Sequence, residues 1–207
     1  MNIDSIIFDL DGTLWDSTEV VLKAWDKVLS KTKEVRSPIT KEQMHSVMGL
    51  QLPQIAEKLF PYLDKAAGLK ILKNCCSIEC EFIREEGGVL YRNLEETLQK
   101  LSEKYELFIV SNCQCGYIEA FLEYHQLGKY FKGTECAGNT GLLKGENIKR
   151  VIDKYKLKAS IYVGDTQGDC DAAKLADIPF VYASYGFGEV ASHDYIIKEA
   201  EELAKIF

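Results

Sequence analysis

The chain has 207 residues, 46% of them hydrophobic and 28% charged, and 25 Lys and Arg against 32 Asp and Glu give a formal charge of −7. That length can bury one globular core and carry an inserted subdomain, and an acidic balance without a Lys/Arg stripe argues against nucleic acid as a partner. No stretch reaches the ~20 apolar residues of a membrane helix, so no membrane partner is expected. The first apolar run, Ile6-Ile7-Phe8, reads as a buried strand and ends in Asp9-Leu10-Asp11-Gly12-Thr13. From about Asp16 to Glu86 the pattern is almost wholly helical. Val20, Val21, Ala24, Trp25, Val28 and Leu29 form one apolar stripe, and Ser37-Pro38 breaks the chain. Thr40 with Gln43 predicts an N-cap and its capping-box partner. Gly49 to Pro53 predicts a turn before a short helix ending near Phe60-Pro61, and a longer helix runs from about Asp64 to Gly87-Gly88.

Beyond that block helix and strand alternate, as a doubly wound parallel sheet requires. The spacing predicts a helix over 94–104, a strand over 107–110 ending in Ser111-Asn112, and a helix over 117–125 ended by Gly128. A short strand is expected over 133–137 and a helix after Lys144 through Ile148, Val151, Ile152 and Tyr155. Ile161-Tyr162-Val163 is a third apolar run, ending in Gly164-Asp165-Thr166-Gln167-Gly168-Asp169 before a helix over 171–176. Strands over 179–183 and 195–197 and a short helix close the chain.

Three strand ends therefore carry Asp-x-Asp, Ser-Asn and Gly-Asp-x-x-x-Asp, with Lys144 between the last two. Side chains two apart on a strand point the same way, roughly 7 Å apart, so Asp9 and Asp11 are expected to face one crevice at the carboxyl end of the sheet. Two like charges at ~4 Å repel by about 4 kcal/mol at an effective dielectric near 20. A hard divalent cation on Asp9, Mg²⁺ by its oxygen preference, with a proton on Asp11, resolves that conflict. Gly12 is expected to let backbone approach a phosphate closely.

With these motifs in this order the chain resembles the haloacid dehalogenase superfamily, and its phosphatase branch, phosphoglycolate phosphatase-like, most closely. The resemblance implies a Rossmann-like α/β core over 1–15 and 87–207 with a small α-helical cap over 16–86. It implies that Asp9 attacks a phosphomonoester to form an aspartyl-phosphate, and that Asp11 protonates the leaving alcohol and then activates water. By the same resemblance Ser111 would hydrogen-bond a phosphoryl oxygen and Lys144 would pair with the nucleophile and the phosphoryl group. Mg²⁺ would be held by Asp9, Asp165 and Asp11, the last through its backbone carbonyl or a neighbour's, and Asp169 would hold the lysine or a water beside the metal. Relatives that cleave carbon–halogen bonds lack an acid two residues after the nucleophile, so Asp11 speaks for an oxygen leaving group.

The expected partner is a small phosphorylated metabolite. The alternatives are a β-phosphoglucomutase-like phosphomutase of the same fold and, in another class, a non-catalytic domain that binds a phospho-ligand. For substrate contacts the cap offers Trp15, Trp25, Met44, His45, Met48 and Arg84, with Gly49 and Gln51 better placed because related caps dip a loop there toward the nucleophile. Asn112 and Gln114 stand on the core side. Seven cysteines, an odd number without paired C-x-x-C spacing, read as reduced thiols. With no secretory-type leader visible, the expected setting is cytoplasmic.

Overall fold

The computed structural model describes residues 3–207. In chain order the elements are β1 Ser5–Phe8, β2 Trp15–Asp16, α1 Thr18–Leu29, α2 Lys41–His45, α3 Leu52–Leu59, α4 Lys65–Glu86 and β3 Val89–Leu90. They continue with α5 Leu94–Ser102, β4 Glu106–Ser111, α6 Tyr117–His125, β5 Phe131–Cys136, α7 Ala137–Thr140, α8 Lys144–Tyr155 and β6 Ser160–Gly164. The chain ends with α9 Gln167–Ala176, β7 Phe180–Ala183, β8 Tyr195–Ile197 and α10 Leu203–Ile206.

Six strands form one parallel sheet in the order β5-β4-β1-β6-β7-β8. β1 lies in the middle, pairing Ile7 with Phe108 of β4 and with Tyr162 of β6. It is covered on both faces, which is why its sequence reads as an unbroken apolar run rather than an alternating one. Ile6 and Phe8 pack into the core shared with α5, α6 and the inserted helices, and Ile7 packs on the other face against Ile148, Val151 and Ala173 of α8 and α9. The chain leaves β1 toward β4 and β5, then returns to the far side of β1 with β6. That reversal opens a crevice beyond the carboxyl ends of β1 and β6, the place where open α/β sheets bind ligands.

Helices α1 to α4 are inserted between β2 and β3, which pair antiparallel as a two-stranded ribbon at the root of the insertion (Trp15 with Leu90, Asp16 with Val89). The ribbon is absent from the sequence-based expectation, since two residues per strand leave no periodicity to read. Gly88 is required there, because a Cβ would overlap the Trp15 ring and the Asp16 carbonyl. The Thr40–Gln43 capping box forms as expected, and Asp64 caps α4 through the Ala67 amide at 2.9 Å. The end of α6 differs from expectation: Gln126, in the left-handed region at φ 56°, stops the helix, and Gly128 begins the short turn that follows. β5 starts at Phe131, two residues earlier than the sequence indicates. Among the described residues no helix is long and apolar enough to cross a membrane, and all seven cysteines are free thiols.

Candidate active site

Asp9 follows β1 directly and is buried at the bottom of the crevice. Its Oδ1 lies 2.9 Å from the Lys144 ammonium, and the same ammonium donates to Asp169 Oδ1 at 2.6 Å. The contact with Asp9 meets the distance but not the direction of a hydrogen bond, so Asp9 Oδ1 is a buried acceptor without an aligned donor. Lys144 is the first residue of α8, where the helix dipole disfavours a cation. Two buried carboxylates offset that, and although burial works against the charge, Asp169 and Asp9 hold the ammonium's pKa above its ordinary value.

Asp165 and Asp169 share one local structure. Thr166 caps α9, its hydroxyl accepting from the Asp169 amide at 3.2 Å, while Asp169 Oδ2 accepts from the Thr166 amide at 2.9 Å and hydroxyl at 2.7 Å. Asp169 also takes the Asp165 amide at 3.2 Å. The Gly-Asp-x-x-x-Asp spacing is thus a capping box whose acid has its second oxygen on Lys144. This leaves the Asp165 carboxylate free to face Asp9. Its Oδ2 accepts from the Phe187 amide at 2.7 Å and its Oδ1 meets the Thr13 hydroxyl at 3.4 Å. Two glycines press on it: a Cβ at Gly12, where φ is +82°, or at Gly186 would overlap the Asp165 side chain. Gly12 is therefore required by the approach to Asp165, a nearer reason than the phosphate contact the sequence had invited.

The carboxylates of Asp9, Asp165 and Asp169 offer oxygens all within 4.8 Å of one another, and all three residues are buried. Burial first, and then the charge of Asp169, push Asp9 up to about 7 despite Lys144. Burial, with Asp169 and Asp9, pushes Asp165 up to about 8. One lysine cannot balance three carboxylates, and Asp169 is already fully bonded. The donor set that remains, Asp9 and Asp165 with an acceptor lacking a donor, fits a hard divalent cation.

Asp11 points elsewhere. Its Oδ1 accepts from the Ser17 hydroxyl at 2.5 Å and from the Tyr117 hydroxyl at 2.9 Å, and Tyr117 also donates to Ser17 at 2.9 Å. The Asp11 side chain thus lies apart from the three-carboxylate group, so a share in metal binding would fall to its backbone. Burial raises its pKa, against the pull of Ser17 and Tyr117, which favours a carboxyl that can carry a proton.

Asp9, Asp11 and Ser111 open together into a cavity of about 60 Å³ closed on its far side by α1–α4. Asn112 and Gly49 line it too and bond each other, Asn112 Nδ2 donating to the Gly49 carbonyl at 2.8 Å. Gly49 has φ +77°, and a Cβ there would press on Thr166. Gln51 is not brought into this cavity: it lines a neighbouring groove and donates to the Leu142 carbonyl at 3.4 Å. Trp25, Met44 and Met48 form cavity wall. Trp15 is fully buried against Phe121, Arg84 pairs with Glu123 at 2.6 Å outside the cavity, and His45 packs on Phe187. Ser17, Tyr117 and the buried Glu79 of α4 were not singled out from the sequence. Ser17 before α1 and Tyr117 at the start of α6 carry no pattern until the fold brings them together, whereas Glu79 shares the buried stripe of Ile71, Leu72, Cys75 and Ile83, an acid at an apolar position that the sequence does show.

The family model of haloacid dehalogenase-like hydrolases matches residues 6–183, and the chain belongs to that family. It is 27% identical over 198 residues to a phosphoglycolate phosphatase of Pseudomonas fluorescens, covering 88% of this chain and 70% of that one. It is 28% identical over 202 residues to a phosphoglycolate phosphatase of Photobacterium profundum, covering 89% and 85%. A haloacid dehalogenase-like hydrolase of Streptococcus pneumoniae superposes with a TM-score of 0.84 at 24% identity over 99% of this chain and 98% of that one, a likeness of fold.

Proposed function

We propose that the chain is a Mg²⁺-dependent phosphatase that hydrolyses a small phosphomonoester through a phosphoryl group carried on Asp9. The single observation that carries this reading is the division of labour between the two acids of the Asp-x-Asp pair. Asp9 stands in a carboxylate group with Lys144 at 2.9 Å, while Asp11 is held away from that charge by Ser17 and Tyr117. Both open into the same cavity. A nucleophile and an acid made from the same residue type require just such unlike surroundings.

Asp9 would attack phosphorus with one carboxylate oxygen as the ester P–O bond breaks, and Asp11 would give its proton to the departing alkoxide. Lys144 and the Ser111 hydroxyl would take charge on the equatorial phosphoryl oxygens, where phosphoryl transfer needs it neutralised. Asp11, now anionic, would draw a proton from water as that water attacks the phosphoryl group, releasing phosphate and restoring both acids. Asp9 and Asp165 would hold Mg²⁺, which when bound supplies further charge neutralisation at the phosphate. Asp169 would fix Lys144 in place. Residues 16–86 would act as a cap over a core of 1–15 and 87–207, closing the cavity from water, with the β2–β3 ribbon as its root. Asn112 and Gly49 would meet the alcohol half of the substrate, and Gln51 would act only through the neighbouring groove. Reduced thiols fit a cytoplasmic setting.

The test is phosphate release from a panel of phosphomonoesters with Mg²⁺ or with EDTA, for the parent and for Asp9→Asn. Metal-dependent release that Asp9→Asn abolishes supports the reading, and a folded, Mg²⁺-supplied parent that releases no phosphate from any ester refutes it.

A further inference from the structure

The wall of the cavity opposite Asp9 carries a buried acid that the proposed chemistry does not use. Glu79, on α4, is 4% exposed and lines the cavity with Cys76 and Trp25. Its Oε2 accepts from the Trp25 indole N–H at 2.5 Å. Among its other neighbours Cys76 and Asp11 bring no positive charge. No Lys, Arg or His stands among the described residues lining the cavity. Arg84, the nearest arginine along α4, is committed to Glu123 outside.

The remaining polar atoms complete a recognition surface. Asn112 Oδ1 is a buried acceptor with no donor, while the amide nitrogen of the same side chain donates to the Gly49 carbonyl. The amide nitrogen of Gln114 is likewise buried without a partner. Around them stand Val21, Trp25, Met44, Val47 and Met48. A substrate's alcohol half therefore meets two acceptors, Glu79 and Asn112 Oδ1, and one neutral amide donor in an apolar, cation-free setting. Burial pushes Glu79 up to about 7, with the indole N–H opposing it.

Resting on the phosphatase reading above, we infer that Glu79 sets specificity and selects a compact alcohol phosphate whose far end donates hydrogen bonds, as an ammonium or a hydroxyl. An ester ending in a carboxylate would bring a second anion to Glu79 with no cation to receive it. The chain thus shares a reaction with the relatives named phosphoglycolate phosphatase and departs from them in substrate. A cavity of about 60 Å³ has room for a compact head, and short esters fit it.

Four short esters on the same two-carbon frame test this: phosphoethanolamine, 2-hydroxyethyl phosphate, ethyl phosphate and 2-phosphoglycolate. In the parent, kcat/KM for the ammonium or the hydroxyl ester is expected to exceed that for ethyl phosphate about tenfold or more, with 2-phosphoglycolate last. Glu79→Gln, which keeps an acceptor for Trp25, should shrink that preference about tenfold, mainly through KM, and raise 2-phosphoglycolate relative to ethyl phosphate. A general packing role for Glu79 would lower all four together, and that uniform loss overturns the proposal. A parent that prefers 2-phosphoglycolate also overturns it, whether or not the variant folds. If the parent hydrolyses none of the four, nor an activated aryl phosphate, the phosphatase reading falls by itself. Calorimetric binding of the same esters to Asp9→Asn then reads selection without turnover. The same order of affinity supports the role of Glu79, and tightest binding of 2-phosphoglycolate, or no binding at all, refutes it.

Discussion

Lys144 is the residue on which the charges of the site converge. It touches Asp9 and Asp169, both buried, and its own side chain is 4% exposed. Removing one partner from a buried ion pair strands the other charge and costs about 3–5 kcal/mol. Lys144→Ala is therefore expected to lower the unfolding free energy by an amount of that order, seen as a lower urea midpoint, and to abolish phosphate release; a parent-like midpoint in urea would contradict the arrangement. Asp11 offers a finer test, because Tyr117 and Ser17 both donate to it and both pull its pKa down. Tyr117→Phe removes one donor, so the Asp11 pKa should rise. The protonated acid serves the bond-breaking step, so the alkaline limb of kcat/KM should move to higher pH, with a fall in rate within the ~10²–10⁴-fold that general acid catalysis contributes. An alkaline limb that stays put or moves down would show that Asp11 is not the acid that limb reports.

At the scale of elements, the carboxyl ends of β1, β4 and β6 and the first turns of α8 and α9 do the positioning. Thr166 shows how closely cap and chemistry are joined, since its hydroxyl and amide both bond the acid that anchors Lys144. Thr166→Val should cost about 1–2 kcal/mol as a lost N-cap, read by chemical denaturation. It should also depress turnover more than an equally destabilising change elsewhere on α9; equal turnover in the two variants would show that the cap acts on stability alone. This level explains what the sequence could tell. The strands over 106–111 and 160–164 were readable because central parallel strands are continuous apolar runs, and their terminal residues announce polar chemistry at once. Asp9, Ser111 and Asp165 were readable because each stands at the end of such a run, and Lys144 and Asp169 by their order and spacing relative to them. The partners of Asp11 and the indole partner of Glu79 were not, because Tyr117 lies 106 residues from Asp11, and Glu79 lies 54 residues from Trp25. Such contacts are fixed by how α4 and α6 pack, which no local pattern encodes. The placing of Gln51 was open for a related reason: a loop can be assigned to a place, but which of its side chains turns toward which cavity depends on α3 and on the Leu142 carbonyl it meets.

For the molecule as a whole, the buried acids set a dependence of stability on pH that runs against the usual sense for carboxylates. An aspartate in the unfolded chain loses its proton near 3.8, whereas Asp9 keeps it to about 7 and Asp165 to about 8 in the fold. Between those limits the folded state binds more protons than the unfolded state, so metal-free protein loses stability as pH rises through the window. Glu79, pushed up to about 7 by burial, acts in the same direction. A divalent cation at Asp9 and Asp165 competes with those protons and, binding only the folded state, stabilises it by mass action. Thermal unfolding in EDTA should therefore show a midpoint that falls between pH 5 and pH 8. Excess Mg²⁺ should raise the midpoint little near pH 5, where it must displace protons, and most near pH 8, where the carboxylates are charged and lack a counter-ion. Asp165→Asn should flatten both trends, since it removes one of the three groups that titrate and one of the two that would hold the cation. A Mg²⁺ gain that is the same at both pH values, or that survives Asp165→Asn unchanged, would place the cation somewhere other than between β1 and β6.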